Sequence, residues 1–187
     1  MSADRAAAMR PFELDGRVAV VTGGSSGLGA AVSRALAGLG ARVAVVARRR
    51  DRLETLAAEI DGLALGCDLS DPAGISEAVP AIVDGLGPPE ILINAAGNRF
   101  GTERAESEPL DDIRRTLDLN LVAPLLLAQQ VFPHMRDRGR GSIVNVSSIS
   151  GQVGVPGIPQ ASYAASKAGL SGLTAELAVQ WARHSIR

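Results

Sequence analysis

Residues 17–22 (RVAVVT) form an unbroken apolar, β-branched run that stops at glycines and gives way to helical spacing. A run without polar alternation reads as a strand covered on both faces, the mark of a parallel sheet. Residues 27–39 follow with Leu28, Val32, Ala35, Leu36 and Leu39 on one helical face. The pattern then repeats. Strands are expected at 41–47, 63–67, 90–94 and 142–147, and helices at 50–60, 71–86, 109–138 and 161–184. Pro72 suits a first helical turn. Residues 98–108 and 151–160 read as loops, the second rich in Gly and Pro. Strict alternation of strand and helix predicts an α/β protein with helices on both faces of a parallel sheet.

A length of 187 residues fits one domain with a real core. Aromatics are only 3%, so that core must be built from Ala, Val, Leu and Ile. The net charge of -1 gives no general attraction to nucleic acid or anionic membrane. Cys67 is the only cysteine, which excludes an internal disulfide and suggests a reducing, cytoplasmic setting. The longest apolar stretch, 121–128, is too short to cross a bilayer and contains Pro124. Residues 1–12 read as a disordered tail without an apolar leader, and 13–187 as one folded domain. His134 and His184 sit near helix ends, and no cluster has metal-ligand spacing. Residues 136–140 (RDRGR) read as a solvated loop.

The first strand leads into Thr22-Gly23-Gly24-Ser25-Ser26-Gly27-Leu28-Gly29. Gly23 permits a tight turn, Gly27 lets the backbone approach a pyrophosphate, and Gly29 allows close helix packing. The helix start adds free N–H groups and partial positive charge. Such folds commonly place an acidic residue at the end of the second strand, for a ribose 2′-hydroxyl. Here Ala47 is followed by Arg48, which suits a 2′-phosphate and favours NADP over NAD. Arg49, Arg50 and Arg52 read as a solvated helix start. Asp68 ends the third strand, where it meets the adenine; alternatively Asp68, or Ser70 further on, only helps to start the next helix.

Tyr163-Ala164-Ala165-Ser166-Lys167 puts a phenol and an ammonium one helical turn apart. The ammonium favours the phenolate, so Tyr163 can exchange a proton with a substrate oxygen. A serine-rich strand end, Ser147-Ser148-Ile149-Ser150, lies just upstream. Pro124 removes the N–H that would bond the Asn120 carbonyl, so this long helix is expected to kink there. The freed carbonyl either binds a water or simply marks a packing kink.

With these residues in hand, the chain resembles the classical short-chain dehydrogenase/reductase family from about residue 14 to 187. The resemblance rests on TGGSSGLG at 22–29, CDL at 67–69, NAAG at 94–97, DLNL at 118–121, NVSSISG at 145–151 and YAASK at 163–167. It implies a Rossmann-type doubly wound sheet in the order 3-2-1-4-5. It implies cofactor contacts at Thr22, Gly23, Ser25, Ser26, Gly27, Leu28, Gly29, Arg48, Asp68, Leu69, Asn94, Ala95, Gly97, Tyr163 and Lys167. It also implies a catalytic tetrad. Tyr163 would be the acid/base, Ser148 would orient the carbonyl, Lys167 would hold the nicotinamide ribose, and Asn120 would hold a relay water. A homo-oligomer through helices 109–138 and 161–184 is implied too.

Three departures stand out. Ala95 replaces a common second Asn. The loop between Ser148 and Tyr163 is longer than in many members, which leaves Ser147 or Ser150 as substitutes for Ser148. Family members also continue past a segment like 185–187 into a sixth strand, a substrate lid and a seventh strand, so the fifth strand is expected to be an open edge. The expected activity is NADP(H)-dependent interconversion of a ketone and a secondary alcohol. The alternative is a non-catalytic dinucleotide-binding or subunit-interaction module.

Overall fold

The computed structural model describes residues 12–187. The expected tail therefore lies outside the described residues, apart from Phe12, which is exposed. Five strands, β1 (Val18–Thr22), β2 (Arg42–Ala47), β3 (Leu63–Gly66), β4 (Ile91–Asn94) and β5 (Ser142–Asn145), make one sheet. Its order is β3-β2-β1-β4-β5, and every pairing is parallel. Helices α1 (Gly27–Gly38), α2 (Arg50–Ile60), α3 (Pro72–Leu86), α4 (Leu110–Leu117), α5 (Ala123–Asp137) and α6 (Ala161–Trp181) connect and cover the strands.

All five residues of β1 are buried, and alternate ones serve different layers. Val18 and Val20 join Val46 and Leu92 under Ile75, Ile82, Leu127 and Val131 of α3 and α5. Ala19 and Val21 join Val43, Val45 and Ile93 under Leu53 and Leu56 of α2. The two-residue period of a strand thus converts one unbroken apolar run into two cores. Each fully buried aliphatic side chain such as Leu53 contributes about 2 kcal/mol.

The expected single helix over 109–138 is interrupted. A π-helical turn, Asp118–Val122, joins α4 to α5, and the Ala123 N–H bonds the Asp118 carbonyl five residues back. Pro124 cannot donate to Asn120, so the ladder widens by one residue at that point. The chain does not straighten there, and Asn120 turns inward with no exposed surface.

Residues 136–140 are all exposed, as expected, but 136–137 close α5, and Arg138 and Arg140 turn onto Glu90. Arg140 Nε stands 2.6 Å from Glu90 Oε2 and Arg138 Nη1 3.4 Å from Oε1, and Glu90 is 5% exposed. A buried carboxylate needs such partners. β5 is the edge strand, as expected, with Val144 exposed, but its start is covered. Ser185–Arg187 run parallel to it, with the Gly141 N–H bonded to Ser185 and the Ile143 N–H bonded to the Arg187 carbonyl at 2.8 Å. Trp181 packs on Phe132, with ring centroids 4.7 Å apart.

Candidate cofactor and catalytic site

The carboxyl ends of the first four strands open on one cavity of about 390 Å³. This is where a parallel sheet changes winding direction and where ligands sit in such folds. The loop after β1 turns at Gly23, whose φ is +71°. A Cβ on Gly29 would stand 2.5 Å from the Gly23 carbonyl oxygen, so only glycine lets α1 start directly against that turn. The first turn of α1 has no side-chain cap and no acidic residue. Its N–H groups and positive dipole end are therefore uncompensated by the protein, which fits a diphosphate.

Of the residues expected to hold a cofactor, Gly23, Ser25, Ser26, Leu28 and Gly29 line the cavity from this loop. Arg48, Asp68 and Leu69 line it from the ends of β2 and β3, and Ala95 and Gly97 from the end of β4. Thr22, Asn94, Tyr163 and Lys167 do not. Thr22 is 1% exposed and its hydroxyl accepts the N–H groups of Ala95 and Ala96, both at 3.1 Å, so it braces the exit of β4 from below. Asn94 donates to Asn145 Oδ1 at 2.8 Å, and its own Oδ1 is buried without a partner. Gly27 is not among the lining residues either, although a Cβ there would meet nothing within 4 Å.

Sequence reasoning gave Arg49 no role. Its Nη2 donates to Ser25 Oγ and to Ser26 Oγ, both at 2.8 Å, so one guanidinium ties the start of α2 to the glycine loop. The signal in the sequence is the run of three arginines after β2, of which only Arg48 stands out as specific. Asp68 does not start α3. Asp71 does so, by accepting the Ala73 N–H at 3.0 Å. Asp68 instead accepts from the Ser70 hydroxyl and N–H, and these bonds, with Arg48 and Arg115 nearby, hold its pKa below the usual carboxylate range. Cys67 also lines the cavity, and burial, followed by the charge of Asp68, raises its thiol pKa.

Lys167 is 4% exposed, and burial lowers the pKa of its amine. Its Nζ donates to the Val146 carbonyl at 2.7 Å and lies 5.9 Å from the centre of the Tyr163 ring. A Cβ on Gly97 would stand 3.2 Å from that Nζ and 3.3 Å from Asn120 Oδ1. The absence of a side chain at Gly97 thus lets the cavity wall reach the ammonium. Asn120 Nδ2 donates to the Asn98 carbonyl at 2.9 Å and to Ser166 Oγ at 3.0 Å.

Among the three candidate serines, Ser147 is committed elsewhere. Its hydroxyl donates to the Lys167 carbonyl at 3.0 Å and meets Ser171 Oγ. Ser148 accepts the Ser150 N–H at 3.2 Å, and Ser150 accepts from Gln160 Nε2 at 3.1 Å. Gln160 is tied within the loops by that bond, and Arg99 by donation to the Pro159 carbonyl at 2.9 Å.

This fold and this cleft place the chain among the short chain dehydrogenases. It belongs to that family, whose model matches residues 17–187. It is 37% identical over 182 residues to the D-threitol dehydrogenase of Mycolicibacterium smegmatis, covering 94% of this chain and 68% of the relative. It is 40% identical over 174 residues to a short chain dehydrogenase of Pseudocercospora fijiensis, covering 90% of this chain and 56% of the relative. A crystal structure of a metagenomic short-chain oxidoreductase in complex with NADP superimposes with a TM-score of 0.87 at 36% identity, covering 93% of this chain and 80% of that one. A short-chain type dehydrogenase/reductase from Mycobacterium marinum gives a TM-score of 0.88 at 35% identity, covering 94% and 71%. This chain thus spans between 56% and 68% of the length of the two curated relatives.

Proposed function

We propose that residues 13–187 form the dinucleotide-binding and catalytic part of an NADP(H)-dependent oxidoreductase that interconverts a ketone and a secondary alcohol. The observation that carries this reading is the place of Lys167. A buried ammonium lies 5.9 Å from the centre of the Tyr163 ring and close behind Gly97, which lines a cavity that fits a diphosphate. The bound nicotinamide supplies or accepts the hydride. Tyr163 moves the proton at the substrate oxygen, and Ser148 orients that oxygen through its hydroxyl. Lys167 holds positive charge beside the phenol and ribose hydroxyls against the Gly97 wall. Asn120 fixes the strand–helix junction behind Lys167. Arg48 reads a 2′-phosphate at the end of β2, while Arg49 braces Ser25 and Ser26 of the glycine loop.

Pairing through the long helices completes the reading. Ala161, Ala165, Ala168, Gly172, Ala175 and Val179 recur at helical spacing along α6, and all are exposed. Small side chains on one face suit a close crossing with a second copy. The single cysteine is free, which fits a reducing compartment such as the cytoplasm. Among the described residues, no helix is long and apolar enough to cross a membrane.

The test is to mix the protein with NADPH and a panel of ketones, following the absorbance of the reduced cofactor, with Tyr163→Phe as control. Turnover that is lost in the variant supports the reading. Tight NADPH binding with no turnover on any ketone refutes it in favour of a binding module.

A further inference from the structure

Helix α6 starts without a cap of its own. Gln160 occupies the cap position, but its side chain donates to Ser150 instead, and the first turn holds no acidic residue. A bare helix start leaves N–H groups unsatisfied. The missing acceptor comes from 54 residues earlier in the chain. Glu108 accepts the Ser162 N–H at 3.3 Å through Oε2, and its Oε1 accepts the Ser162 hydroxyl. The next residue is Tyr163.

Glu108 also ends the loop that begins at Asn98. At its start, the Asn98 N–H donates to Asn120 Oδ1 at 3.0 Å. Directly after it, Arg99 donates to the Pro159 carbonyl at 2.9 Å. The loop is thus fastened at one end to the π-turn and at the other to the first turn of α6. It stands between the cofactor cavity, lined by Asn98, and a second cavity of about 510 Å³ lined by Arg104, Glu106 and Ala164.

We propose that Glu108 is a positioning residue for Tyr163. Its carboxylate anchors the first turn of α6 to the 98–108 loop, so the phenol keeps its place only while that loop is seated. A carboxylate suits this role better than a local serine cap, because it neutralises the helix dipole and joins two segments 54 residues apart in sequence. The inference rests on the reading of Tyr163 as proton donor.

Tyr163 is the only tyrosine, so fluorotyrosine labelling gives a single fluorine NMR resonance from the phenol. In Glu108→Ala this resonance shifts and broadens or splits relative to the parent chain. Turnover falls about tenfold, while KM for NADPH stays within about twofold, because misplacement acts on the reacting group and leaves the distant cofactor contacts alone. Glu108→Gln keeps a carbonyl acceptor for Ser162 and recovers most of the parent signal and rate. Ser162→Ala, which removes half of the contact, shifts the resonance to a smaller extent, and it decides the matter if Glu108→Ala does not fold. A variant that melts earlier but keeps the parent resonance and rate overturns the proposal and leaves Glu108 a simple helix cap. If the parent chain turns over no ketone, the oxidoreductase reading fails, and the fluorine spectra alone decide whether Glu108 positions the phenol.

Discussion

Asn98 and Asn120 hold each other by two reciprocal hydrogen bonds: the Asn98 N–H donates to Asn120 Oδ1 at 3.0 Å, and Asn120 Nδ2 donates back to the Asn98 carbonyl at 2.9 Å. A side-chain amide can satisfy a donor and an acceptor of one backbone residue at once, and a carboxylate cannot. Asn120→Asp therefore sets an oxygen against the Asn98 carbonyl in a site with no exposed surface. We expect a loss of about 3 kcal/mol, read from urea unfolding.

Arg140 and Arg138 share the buried carboxylate of Glu90. Arg140→Ala removes the closer partner and should lower stability by about 1–3 kcal/mol. The Arg138→Ala/Arg140→Ala double variant should lose more than either single one. Thermal unfolding in low salt checks both.

Two neighbouring arginines should separate by cofactor. Arg48→Asp, by the proposed 2′-phosphate contact, weakens NADPH about 10- to 100-fold relative to NADH. Arg49→Ala loosens the Ser25–Ser26 loop and weakens both cofactors by similar factors. Fluorescence titration with each reduced cofactor tests the pair, and an unchanged NADPH preference in Arg48→Asp refutes the assignment.

Burial depresses the pKa of Lys167. Between its folded and its unfolded value, the unfolded chain binds more protons, so this group makes stability rise with pH in that alkaline window. Below the folded value the full cost of burying the ammonium remains. Lys167→Met abolishes the dependence. The stability difference, parent minus variant, should therefore climb as pH rises through the window, as measured by denaturant unfolding at stepped alkaline pH.

Cys67 has its thiol pKa raised by burial and by Asp68, so little thiolate is present at neutral pH. Maleimide labelling should be slow there and should accelerate with rising pH. Because Cys67 lines the proposed cofactor cavity, NADPH should protect it.

Most of the fold was legible because buried parallel strands are written as unbroken apolar runs. The expected helix 50–60 matches α2, and the strand order follows from the alternation and the family resemblance. Strand ends were read one or two residues long at β3 and β5, since β propensity does not register where pairing stops. The π-turn was only half visible: Pro124 marked the fault, but whether the helix kinks or widens depends on packing around Asn120. Thr22 and Asn94 belong to the recognised motifs and yet sit behind the cavity wall. Three contacts left no local trace, namely Arg49 to Ser25, Glu108 to Ser162 and Arg140 to Glu90. Each joins a long, flexible side chain to a partner distant in sequence, and no periodicity encodes such a pair.

The guanidinium of Arg49, drawn across Ser25 and Ser26, braces the curved form of the glycine loop from within the protein. A ligand entering there meets a rigid cradle and gives up its own freedom, while the receiving backbone gives up little. Loss of that strut should show as slower capture and a less favourable binding entropy, with the enthalpy of each phosphate contact nearly unaltered.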